Sequence, residues 1–151
     1  MSGQSRDAVA SITIAAPREK VWEALTEPAL IQQYFLGTNV TTTWRVGDPI
    51  TYSGEYNGKP YQDRGTILAF EPPTLLRTTH YSPASGLPDV PENRHTVEYR
   101  VTEDPAETEK PKLTAVTITQ GNNSSEKEVE QSTGVWELVL RNLKELLESK
   151  P

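Results

Sequence analysis

Read for the spacing of its apolar positions, the chain has one long helical segment near its end and a run of short stretches before it. Between Gly121 and Ser149, the residues Val129, Thr133, Trp136, Leu140, Leu143 and Leu147 recur at alternating steps of four and three. That spacing puts them on one stripe about five turns long. No earlier segment keeps this period for as long, so the helix must bury its stripe against a sheet. The expected arrangement is a sheet wrapped round the helix with a pocket between them. Leu143 and Leu147 would seal the core, and Thr133, Trp136 and Leu140 would face the pocket.

The earlier segments read in order as a strand, two short helices and about six more strands. Ala8 to Ala15 has Ile12 and Ile14 on one face and ends at Ala16-Pro17, where proline suits the first turn of a helix. That helix buries Val21, Trp22 and Leu25 and stops at Pro28. A second short one carries Leu30, Ile31, Tyr34 and Phe35 until Gly37. From Thr38 the period becomes two, with Val40, Thr42 and Trp44 on one face, then a turn at residues 46–49. Ile50, Tyr52, Gly54 and Tyr56 alternate along the third strand. Asn57-Gly58 predicts a two-residue hairpin into a fourth strand from Tyr61 to Phe70. After Pro72-Pro73 a fifth strand runs from Leu75 to Tyr81. Ser82 to Asn93, with three prolines and a glycine, is a long loop placed to act as a lid. His95 to Thr102 and Leu113 to Gln120 are the last strands, separated by a charged turn from Glu103 to Pro111. Residues 1–7 read as a disordered terminus and residues 8–149 as a single domain.

Composition narrows the function. Apolar residues are 34% of the 151 and the mean hydropathy is -0.60, but six tyrosines and three tryptophans supply core bulk. The net charge of -6 argues against nucleic acid or an anionic membrane as partner. With no cysteine, disulfides and thiol chemistry are excluded. No apolar run suits a membrane span or a secretory signal, so the expected location is the cytoplasm.

The order of elements resembles the helix-grip fold of the START-like (SRPBCC) superfamily, an α+β fold. Five pieces of wording resemble one of its branches, that homologous to the activator of heat-shock protein 90 ATPase. They are APREKVWEALTEPALIQQYF, WRVGD, GTILAFEPPTLL, PENRHTVEY and VWELVLRNLKELLE. The resemblance spans residues 8–149. It implies a cavity that holds a small hydrophobic molecule, with a stress-related chaperone co-factor as the alternative. A cyclase or lyase working in the same cavity is a third reading, since polyketide aromatase/cyclases of this superfamily hold a reactive chain near Arg, Tyr or His. The eukaryotic activators resembled here carry a further N-terminal domain, whereas seven residues precede the first strand in this chain. Gly47-Asp48 stands where the branch often has Gly-Gly, and Asp48 is expected to be exposed.

A pocket needs apolar walls and a few inward polar groups. The candidates are Tyr34, Phe35, Trp44, Tyr52, Tyr56, Tyr81, Tyr99, Trp136 and Leu140, because tyrosine joins a large apolar body to a hydroxyl. Arg77 shares a face with Leu75 and Tyr81 and is a candidate for binding an anion there; the competing reading is a cross-strand salt bridge. Arg100 falls on the face opposite Tyr99. His80 and His95, the only histidines, flank the long loop and would meet at its mouth. With no His-x-His or His-Glu-x-x-His spacing, neither a metal nor a cofactor is expected. His95 is better read as anchoring the loop through a backbone carbonyl. No catalytic residue is assigned. Ser124 or Ser125 would cap the long helix, with Glu128 in its first turn. A monomer or a homodimer is equally compatible with this sequence.

Overall fold

The computed structural model describes residues 6–83, 86–103 and 113–148, except for the side chain of Tyr56. Most of the expected disordered terminus and of the turn from Glu103 to Pro111 lies outside the described residues. The elements are β1 (Ala8–Ile14), α1 (Arg18–Thr26), α2 (Pro28–Tyr34), β2 (Asn39–Thr42), β3 (Pro49–Tyr56), β4 (Lys59–Glu71), β5 (Leu75–His80), β6 (His95–Glu103), β7 (Thr114–Gly121) and α3 (Glu126–Glu148). The strands form one antiparallel sheet in the order β1-β7-β6-β5-β4-β3-β2. The sheet curves round α3, which lies along β1 and also meets α2. This is the helix-grip fold.

Local chemistry explains most boundaries. Pro28 does end α1, but it also starts α2 as its first residue, where the missing N–H costs nothing. Asn57 and Gly58 both have positive φ, 53° and 79°, as a type I′ hairpin turn requires. Trp44 departs from the expected alternation: β2 ends at Thr42 and Trp44 sits at φ 63°, so strand parity no longer sets its direction. Ser125 caps α3 by accepting the Glu128 N–H at 3.1 Å, and the Glu128 carboxylate accepts the Ser124 N–H.

The core lies between the concave face and α3. Row by row, Ile67, Thr78, Val97, Gln120 and Ala8 stand opposite one another across five strands, followed by Phe70, Leu76, Tyr99, Ile118 and Ala10. The buried residues of α3 are Trp136, Val139, Leu140 and Leu143, while Val129, Thr133 and Leu147 are half-buried. The stripe thus gains Val139 and loses its ends.

One place distorts the ladder. At Gly65, β4 runs so close to β5 that a Cβ would stand 1.8 Å from the Thr79 carbonyl oxygen. The Thr66 N–H turns to the Thr79 side chain at 2.9 Å, and the pairing shifts between Ile67 and Ala69. A glycine followed by a bulge increases local twist and lets a sheet curl. Beyond this point Tyr52 and Glu55 of β3 and Tyr61 and Asp63 of β4 line one cavity with the start of α3.

Candidate functional site

That curl leaves a cavity of about 580 Å³ between the sheet and the first half of α3. Its base is formed by the buried Val97 and Tyr99 of β6 and Trp136 of α3, with the half-buried Gln120 of β7. The Trp136 ring meets Phe35 edge-on at 5.4 Å and Tyr99 edge-on at 5.9 Å. Its Nε1–H donates to Gln120 Oε1 at 2.8 Å, and Gln120 Nε2 donates to Ser132 at 2.9 Å and Asn123 at 2.8 Å. Gln120 therefore fixes both the indole and the start of α3. Tyr61 lies across Gly54, 2.9 Å from where a Cβ would be, and shares a hydrogen bond with Thr38 at 2.8 Å.

The tyrosines at the base are neutral. Burial pushes the Tyr52 phenol up to about 12 and that of Tyr99 well above its ordinary value. Tyr52 shares a long 3.4 Å hydrogen bond with Thr78. The Tyr99 hydroxyl has no hydrogen-bond partner among the described residues, yet its oxygen is not sealed in the core. Tyr99 is 8% exposed and lines both the cavity and a small void deeper in the core.

The rim is polar. His80 and His95 do meet, paired across β5 and β6 with ring centroids 6.2 Å apart. Each has its own carboxylate: His80 Nε2 stands 3.0 Å from Asp63 Oδ2, and His95 Nε2 stands 3.1 Å from Glu128 Oε2. His95 thus ties β6 to α3 through a side chain, not the loop through a backbone carbonyl. Among the described residues no cluster of ligating side chains could hold a metal ion.

Burial works to raise the Glu128 carboxyl, but the Ser124 N–H and His95 outweigh it and hold it below its ordinary value. A lowered folded value means that the stability Glu128 contributes is complete above the ordinary 4.5 and is lost as pH falls through the lowered one. Glu128→Gln is therefore expected to cost about 1 kcal/mol or less near neutral pH. The cost should vanish on acidification, so urea-denaturation curves of the two proteins should converge. A constant gap across pH would rule out a role for the charge.

Of the residues expected to line a pocket, Phe35, Tyr52, Tyr99 and Trp136 are brought together round the cavity. Tyr34 and Trp44 border a void of about 20 Å³ deeper in the core, and the Tyr34 hydroxyl donates to the Ala24 carbonyl at 2.9 Å. Leu140 is 1% exposed within the core, away from the cavity. Arg77 and Tyr81 lie on the opposite, convex face. There Arg77 pairs with Glu98 at 2.7 Å as a cross-strand salt bridge, and Arg100 reaches the same Glu98 at 3.1 Å. Tyr81 is buried beneath the long loop, its hydroxyl donating to the Leu87 carbonyl at 2.6 Å and Arg64 lying 5.1 Å from its ring. Asp89 ties that loop down by pairing with Arg64 at 2.9 Å and Arg94 at 2.8 Å. The Tyr56 side chain lies outside the described residues. Asp48 is half-buried, its carboxylate bonded by Thr43, so it is not the free surface charge expected. Sequence reasoning passed over Tyr61, Asp63 and Gln120. Gln120 follows Val116 and Ile118 at period two, which was signal enough to find it.

Residues 15–148 match the family model described as Activator of Hsp90 ATPase homolog 1-like protein. The chain belongs to this family. No curated protein matches it significantly. A Cytophaga hutchinsonii protein solved in solution is similar over 95% of this chain and 94% of its own, with 41% identity and a TM-score of 0.79. The Aha1 dimer from Colwellia psychrerythraea shares the fold at 20% identity and a TM-score of 0.67, over 94% of this chain and 96% of its own. An HSP90 activator from Plasmodium falciparum does so at 16% identity and a TM-score of 0.68, over 96% and 97%. This Activator of Hsp90 ATPase homolog 1-like chain has, among its described residues, no helix long and apolar enough to cross a membrane.

Proposed function

We propose that the chain binds a small hydrophobic or aromatic molecule in the cavity between the curved sheet and α3. The observation that carries this reading is a cavity of about 580 Å³ lined by aromatic side chains, among them the buried Tyr99 and Trp136. Sites for small molecules commonly enclose about 300–1,000 Å³, with apolar walls and a few inward polar groups. Nile red, a neutral apolar dye, tests it. Its fluorescence should rise saturably at one dye per chain and quench Trp136 emission, and Ser132→Phe, which puts a ring into the cavity, should abolish the signal. Absence of saturable binding, or binding indifferent to Ser132→Phe, would remove the reading.

Family membership supports a second reading, a co-factor that stimulates an Hsp90-type chaperone in the cytoplasm, as a monomer or a homodimer. A purified chaperone whose ATPase rate stays flat as this protein is titrated in would dispose of it. An enzyme using the cavity is not favoured by any group there beyond those described.

A further inference from the structure

We propose that the cavity selects a neutral or cationic ligand, an aromatic body bearing a basic amine, and rejects carboxylates and phosphates. The inference rests on the ligand-binding reading and adds the class of molecule that fits. Its first observation is the charge census of the rim. Glu55, Asp63 and Glu128 bring three carboxylates to the cavity, and among the described residues no Lys or Arg lines it. The compensating groups are His80 on Asp63 and His95 on Glu128. With both imidazoles neutral the rim carries three negative charges, and with both protonated one remains, on Glu55. In neither state is it positive, and the arginines of the central strands are engaged elsewhere, Arg64 by Asp89 and Arg77 and Arg100 by Glu98.

The second observation is independent of charge. Tyr99 is more than nine-tenths buried, it lines the cavity, and its hydroxyl is unpartnered among the described residues. A buried hydroxyl without a partner is a cost that a ligand oxygen or nitrogen can remove. Kept neutral by its surroundings, it can donate to such a group or accept from it. Edge-on rings at Phe35, Tyr99 and Trp136 suit a flat apolar body, and the aromatic Tyr52 and Tyr61, which share the lining with Glu55 and Asp63, suit an ammonium. An anionic head would be desolvated beside like charges with no cation to receive it.

Three molecules with one skeleton, 2-naphthylmethylamine, 2-naphthalenemethanol and 2-naphthoate, test the selection by displacement of Nile red. The amine is expected to bind at least as tightly as the alcohol and roughly 10-fold or more tighter than the carboxylate, an advantage that shrinks with added salt and with Asp63→Asn. Tyr99→Phe should weaken the alcohol about 2- to 10-fold and leave naphthalene itself unchanged. If the carboxylate matches or beats the amine, the selection is wrong while the binding reading stands. If Nile red itself shows no saturable site, the binding reading falls first. If Tyr99→Phe weakens naphthalene and the alcohol alike, the hydroxyl plays no part and the polar half of the proposal fails.

Discussion

Gly65→Ala is expected to be the most damaging single-methyl change in the sheet. The new Cβ would stand 1.8 Å from the Thr79 carbonyl oxygen and 2.7 Å from its carbon, both backbone atoms of a paired strand. No rotamer relieves such a clash, so either β4 or β5 must move, and with it the Thr66 hydrogen bond and the buried Ile67–Thr78 pair. Overpacking that forces backbone shifts costs about 3 kcal/mol or more, which at this chain length lowers Tm by roughly 10 °C. Gly54→Ala provides the contrast. Its Cβ would meet the Tyr61 side chain at 2.9 Å, and that ring can swing at the expense of its Thr38 hydrogen bond, a loss of about 1 kcal/mol. Urea denaturation of both variants measures the difference. A Gly65→Ala protein as stable as Gly54→Ala would mean that the two strands do not approach as closely as described.

The Gly65 distortion also explains why the fold was more legible than the site. Periodicity of two, the Asn57-Gly58 turn and the stripe on α3 each report a local period, and seven strands and three helices follow from such periods. Cavity lining depends on where the sheet curls and which face is covered, and no local period reports either. Arg77 illustrates this. Parity correctly grouped it with Leu75 and Tyr81, and both of those are buried. An apolar strand face need not be the core face: Tyr81 is buried on the convex side by the loop that Asp89 straps to Arg64 and Arg94. Trp44 failed differently, since a left-handed residue cancels strand parity. Asp63 reaches the rim because Gly65 lets β4 and β5 cross closely enough for His80 to meet it. A lone glycine in a strand hints at such a crossing without saying which neighbour will come near.

The sharpest test of an open cavity compares two residues one helical turn apart. Leu140→Ala removes a side chain that is 1% exposed, inside closed packing, and is expected to cost about 3 kcal/mol, in the middle of the range for such truncations. Trp136→Ala deletes far more surface, and in a closed core it would cost about 3–5 kcal/mol. Trp136, however, borders space that already exists, so the volume vacated merges with the cavity instead of leaving a void in packed surroundings. The Gln120 oxygen that loses the indole N–H can then be reached by water, which spares the penalty of an orphaned acceptor. The expected cost is about 2 kcal/mol, below that of the smaller Leu140 truncation. That inversion of size and cost separates the two packings: a closed core makes tryptophan the dearer loss, whereas a cavity makes leucine so. Equilibrium denaturation of the two variants under one set of conditions decides between them, and a Trp136→Ala cost exceeding that of Leu140→Ala would close the cavity on which ligand binding depends.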